Sequence, residues 1–354
     1  MTNRMDREQF FARLGALDDE HVRKALWNLY WRGTATVRQR IEAELEPEGR
    51  PPRRKEPEPV DPEGTLDEVR DFVALARAGA YLGGDRRVLP RERTRWRFTF
   101  QRLVKDVERA LDDDDVSAGA EAMALLIDLA QETRGYEYFR SEDPIEAARV
   151  VVSDEVSLLW SRVSDRLGFA ELARSASPQL IRWESSYGWT RTGFGRVSEK
   201  ETPLAIVLER MLTVPDHWIA FTDAYLEALD QVAANSSASS ARRQASTASR
   251  DHRTRELAAW HAMLLDRLFG SEAEDRLDRL ASHPALGGPD LAYLQAQLAR
   301  RRGHLEAARR LVTGALAQLP GHRDYLALAN EIGAPLPDRA RELARSRIER
   351  LMGS

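Results

Sequence analysis

Two aromatic-rich stretches concentrate the side chains of this sequence that could do chemistry. The first, Gln179–Pro203, sets Trp183, Tyr187, Trp189 and Phe194 among Arg182, Glu184, Arg191, Arg196 and Glu199, with three glycines. Aromatic and arginine side chains together are the material of protein-interface hot spots, and glycine-bearing loops carry such surfaces more often than helices do. Trp183, Tyr187, Trp189, Arg191 and Phe194 are therefore the expected partner-binding residues, exposed or half-exposed on a long loop between helices. The competing expectation is that the same aromatics plug the end of a helical core. Acid–base work here would rest on Glu184 or Glu199 with Arg191, and neither a histidine nor a nucleophile–base pair accompanies them.

The second stretch, Asp85–Arg109, carries nine cations against four acids, a net of +5, with Trp96, Phe98 and Phe100 interleaved. Cations beside stacking rings suit a nucleic-acid strand, and Arg91, Arg93, Arg95, Arg97 and Arg102 would then hold the anion. Trp96 and Phe100 fall on the apolar stripe of a helix, however, and only Phe98 lies off it. The alternative is a solvated helix that pairs with acidic neighbours.

Other templates are missing. There is no Walker A loop, no G-x-G-x-x-G, no H-E-x-x-H and no G-x-S-x-G. The seven histidines, at 21, 217, 252, 261, 283, 304 and 322, are never three or four residues apart, so none forms a helical metal pair. Asp112–Asp115 lacks the alternation and glycine of a calcium loop and reads as the start of the next helix. Cysteine is absent, which removes disulfides and thiolate chemistry. The sequence thus assigns no catalytic residue, metal or cofactor. A net charge of −4 argues against binding nucleic acid along the whole chain. The first residues lack the apolar core of a signal peptide, and no run reaches the 18 apolar residues of a membrane span. The expectation is a cytoplasmic protein without a membrane partner.

The elements that must position these residues are helical almost everywhere. Val22, Ala25, Leu26, Leu29 and Tyr30 recur on one helix face, and Thr36–Leu45 continues the style, giving a small N-terminal module over residues 1–45. Residues 46–64 hold six prolines among alternating charges and read as a linker. Residues 65–232 form a central all-helical domain. Thr65 and Glu68 make a capping box opening Leu66–Leu82, and further helices follow Pro90 and span Val116–Thr133, Asp143–Val152, Asp154–Leu167, Thr202–Leu212 and Pro215–Val232. Residues 233–249 contain no apolar side chain larger than alanine and are expected to be disordered. Almost no window alternates with period two beside turn dipeptides, so the fold class is all-α, a helical bundle or α-solenoid.

Residues 250–354 form the last module. In Pro289–Pro320, Ala296 sits at a small position of a first helix, Gly303 at a turn, and Ala308, Val312 and Ala315 on a second helix. This segment resembles the tetratricopeptide (TPR) repeat, a helix–turn–helix unit of 34 residues. It departs from the repeat at Ala292, where a bulky residue is usual, at Gln295, which replaces leucine, and at Val312, which replaces an aromatic. Thr254–Phe269 with Ser271–Ser282, and His322–Ile332 with Asp338–Met352, read as flanking partial units. The resemblance implies a stack of helix pairs that binds another protein or a peptide on a concave surface. The resulting functional expectation is a non-catalytic protein–protein interaction scaffold. The alternatives are a nucleic-acid-associated protein using 85–109 and an enzyme of unrecognised type centred on 179–203.

Overall fold

The apolar period of the sequence is realised as helix. The computed structural model describes residues 7–45, 60–78, 90–134, 144–187, 195–240 and 257–352. Among them are seventeen α-helices, one 3-10 helix and no strand. No described helix is long and apolar enough to cross a membrane. The chain divides into two units, Met1–Pro59 and Val60–Ser354.

The first unit holds α1 (Arg7–Gly15), α2 (Asp19–Arg32) and α3 (Ala35–Leu45). Asp18 caps α2, its carboxylate accepting from the His21 amide at 2.8 Å. α2 packs on α3, and the Tyr30 hydroxyl donates to Glu42 at 2.5 Å. On the expected apolar face, Val22, Leu26 and Tyr30 are half-buried, whereas Ala25 and Leu29 stay exposed.

The second unit begins with α4 (Pro62–Arg77), four residues earlier than the capping box implied. Asp61 takes the cap position and Pro62 the first turn, where its fixed φ suits a helix. Thr65 is already inside, its hydroxyl donating back to the Asp61 carbonyl at 2.8 Å. Glu68 reaches across to Arg102 instead of back to Thr65. Residues 62–64 of the expected linker are therefore helical, and 46–59 lie outside the described residues. α4 packs with α5 (Pro90–Ala110) and α6 (Ser117–Arg134) around Phe72, Trp96 and Phe100, whose rings lie 5.0–6.5 Å apart. After the short α7 (Pro144–Ala148), α8 (Val152–Leu167) packs on α6 and on α9 (Phe169–Tyr187).

α9 overturns part of the expected long loop, because 179–187 is helix. Leu172, Ala176, Leu180 and Trp183 recur on its buried face, and Pro178 sits inside without ending it. α10 (Leu204–Met211) and α11 (Pro215–Ser240) follow. α11 continues eight residues past the expected end at Val232. Alanine and serine carry no steric reason to stop a helix, and neither glycine nor proline occurs there. Residues 241–249 of the expected disordered linker lie outside the described residues.

The last helices are α12 (Ala258–Leu268), α13 (Asp275–Ala281), α14 (Gly288–Arg301), α15 (Leu305–Gln318), α16 (Arg323–Ile332) and α17 (Asp338–Met352). The expected break between central and C-terminal modules is not a break in the core. One cluster of buried side chains runs from Leu66 through Trp260 and Leu277 to Leu298. A second, smaller cluster joins Ala296, Ala308, Val312, Ala315, Tyr325, Leu328, Ala329 and Ala340. Ala296, Ala308 and Ala315 are fully buried, and Gly303 turns between α14 and α15 at φ +79°. Gln295, in a place where leucine was usual, donates to the Ala281 carbonyl at 2.6 Å and ties α14 to the end of α13.

Three carboxylates hold the 195–204 segment, two from distant elements and one, Glu201, its own. Glu146 accepts from the Val197 amide at 3.1 Å, the Ser198 amide at 2.7 Å and the Ser198 hydroxyl at 2.8 Å. Glu201 accepts from the Val152 and Ser153 amides, each at 2.9 Å, at the N-terminus of α8. Glu184, itself buried, accepts from the Leu204 amide at 3.2 Å at the start of α10. Beside Glu201, burial pushes the Glu155 carboxyl up to about 8, helped by Glu108, Asp154 and Glu201. The folded state thus keeps a proton that the unfolded chain has lost. Stability therefore falls as pH rises from about 4.5 to about 8. Glu155→Gln cannot ionise, and its stability relative to wild type should grow across that window to on the order of 2 kcal/mol, read by urea unfolding at several pH values. A constant difference between the two proteins would show that Glu155 ionises freely in the fold.

Candidate functional site

Trp183 does not belong to a surface. It is fully buried, stacked on Trp160 at 6.3 Å, with its indole N–H donating to Asp128 at 2.8 Å and its carbonyl accepting from Gln131 at 2.8 Å. Arg182 pairs with Asp128 at 3.0 Å and lies over the Trp183 ring. Burial pushes the Asp128 carboxyl up, opposed by the Trp183 and Arg182 donors. Trp183 is thus a core residue, because α9 extends through it and turns it inward. Tyr187 ends α9 with its side chain outside the described set, and Trp189, Arg191 and Phe194 lie outside the described residues altogether. Glu184 is engaged at α10, and Arg191, its expected partner in acid–base work, lies outside the described residues.

In the basic stretch, Arg102 pairs with Glu68 and with Asp106, and Arg109 pairs with Asp106. Arg97 lies over the Phe98 ring at 4.8 Å, and Arg95 is exposed. Arg91 and Arg93 are on α5, with side chains outside the described set. Trp96 and Phe100 are core, as their stripe implied, and Phe98 is 55% exposed.

The residues that the fold does bring together are elsewhere. α12, α14 and α16, alternate helices of the C-terminal array, line one groove of about 660 Å³. Its α12 side is small: Ala258, Ala259 and Ala262 face it with Leu265. Its opposite side is aromatic. The Tyr293 and Tyr325 rings stack at 4.7 Å, and the His322 ring stacks on Tyr325 at 4.0 Å. Gln297 donates to the Tyr293 hydroxyl at 2.8 Å, and burial pushes that phenol up.

The groove's charges are largely spent within it. Arg300 pairs with Glu331, and Arg301 pairs with Asp266 while donating to the Leu265 carbonyl. His261, almost wholly buried, is hydrogen-bonded to the Tyr225 hydroxyl at 2.9 Å, and burial lowers it to about 3, so it stays neutral at physiological pH. Three polar atoms of lining residues, Gln297 Oε1, Arg300 Nε and His322 Nδ1, are buried without a hydrogen-bond partner. No lining group is a nucleophile beside a base, and among the described residues no cluster of three or more His, Asp or Glu could hold a metal. What this arrangement offers is shape, ring faces and hydrogen bonds.

None of these groove residues stood out in the sequence. A signal was present, since Tyr293 and Tyr325 are 32 residues apart, close to the repeat length, which places them on successive equivalent helices. Comparison with protein-family models, curated proteins and solved structures finds no match for this chain.

Proposed function

We propose that the chain is a non-catalytic interaction scaffold whose C-terminal, TPR-like helix array takes a peptide segment of another protein into the groove between α12, α14 and α16. One observation carries this reading: three alternate helices bring three alanines and a Tyr–Tyr–His stack to one groove of about 660 Å³. Stacked helix pairs repeat their faces, so alternate helices share one side of the array, and that side is where repeat proteins bind. Rigid aromatic walls supply contact area at low entropic cost, as binding hot spots do.

A random dodecapeptide library displayed on phage, selected on the immobilised full chain, tests the reading. Ala262 is exposed on the groove, so Ala262→Trp fills the slot without entering the core. Peptides recovered on the wild type should lose binding to Ala262→Trp and weaken about 30-fold on Tyr293→Ala, the loss typical of a hot-spot aromatic. Failure to enrich any peptide, or binding indifferent to both substitutions, would remove the groove as the site.

A further inference from the structure

The groove between α12, α14 and α16 keeps one charge that the fold does not answer. Both guanidiniums of its lining are paired, Arg300 with Glu331 and Arg301 with Asp266. Asp324, in the first turn of α16, lines the same groove and is exposed. It has neither an ion pair nor a hydrogen bond among the described residues. Its neighbour Arg323 does not line the groove. With Glu331 counted beside its partner, three carboxylates thus face two guanidiniums, and the one left over is Asp324. We infer that the peptide held in this groove is anchored by an arginine, its guanidinium forked onto the Asp324 carboxylate and laid against the Tyr293 ring. The inference rests on the groove being the peptide site.

Two features of the groove ask for the same sign of charge. The first is the unpaired carboxylate. The second is ring surface, because the face of an aromatic ring is negative and draws cations. Tyr325 carries both neighbouring rings and is 1% exposed, whereas Tyr293 and His322 are half-buried. The ring surface left to an occupant therefore belongs to Tyr293 and His322. Asp324 is near enough to Tyr293 for its charge to help push that phenol up, so one cationic group can meet both. Arginine suits the pair better than lysine does. Its guanidinium is planar, stacks on rings, presents two parallel N–H groups to a carboxylate and is more weakly hydrated than an ammonium. An acidic peptide would instead bring like charge to Asp324, which costs affinity.

The test uses dodecapeptides selected on the full chain, made synthetically and titrated in solution. Those that lose binding to Ala262→Trp should share an arginine at one position. Replacing that arginine by citrulline keeps its shape and removes its charge. On the wild type this should weaken binding about 10-fold, the scale of one close charge pair. Asp324→Asn should weaken the arginine peptide by the same factor, with helical content unchanged, and should bind the citrulline peptide as the wild type does. That pattern belongs to a direct pairing, since a merely structural role for Asp324 would weaken both peptides alike. Groove-dependent peptides without a common arginine, or a citrulline effect equally large on Asp324→Asn, would overturn the anchor and leave the groove standing. Peptides indifferent to Ala262→Trp, or none enriched at all, would overturn both.

Discussion

Trp183→Ala should destabilise the Val60–Ser354 unit by about 3–5 kcal/mol, the cost of emptying a buried indole site. Folded domains hold only about 5–15 kcal/mol, so the variant should melt far below wild type. The effect reaches past volume. Asp128 loses the indole N–H and retains Arg182, and the Trp160 ring loses its stacking partner. Trp183→Phe separates the two contributions. It keeps a ring in the site and drops the hydrogen bond, which should cost about 1–3 kcal/mol. Urea unfolding of the three proteins measures both. A loss below about 1 kcal/mol for Trp183→Ala would place the residue at a surface, where single substitutions cost little.

Ala308→Trp should open the smaller C-terminal core while leaving the larger one closed. Ala308 is fully buried at the meeting of α14 and α15, and an indole there overpacks the pair by at least about 1–3 kcal/mol. Hydrogen exchange should speed up through α15, α16 and α17 and stay slow in α4, α6 and α9. Ala317→Trp, exposed on the same helix, is the control and should change neither. Wild-type exchange in Ala308→Trp would mean that the helix pair is looser than its alanines imply.

The helices and most of the core were legible in the sequence because each rests on local periodicity. Trp96 and Phe100 were on a readable stripe, and Ala296, Ala308 and Ala315 were small where close packing needs them. Element ends were less legible. α4 starts on Asp61 and Pro62, whose capping role looked like part of a proline-rich linker, and α11 runs into a serine–alanine text that helix physics tolerates. α9 was hidden for a related reason: the glycines at 188, 193 and 195 signalled a loop, while the apolar period ran on to Trp183 ahead of them. The groove was least legible, because its walls come from three helices brought together by tertiary packing. No local rule joins Ala262 to Tyr293 and His322. Only the near-repeat spacing of Tyr293 and Tyr325 foreshadowed it.

α14 is built into both cores, giving Leu294 and Leu298 to one and Ala296 to the other. An occupant touching α12, α14 and α16 together would act as a strap across that seam, and a strap works only while the smaller core is closed. At a concentration one hundred times its dissociation constant, such an occupant would add about 2.7 kcal/mol to the free energy of opening the C-terminal helices. Proteases attack opened states, in proportion to how often they are visited. The empty chain would then be trimmed from its C-terminal end faster than the loaded one, and the supply of such an occupant would set how long the chain survives.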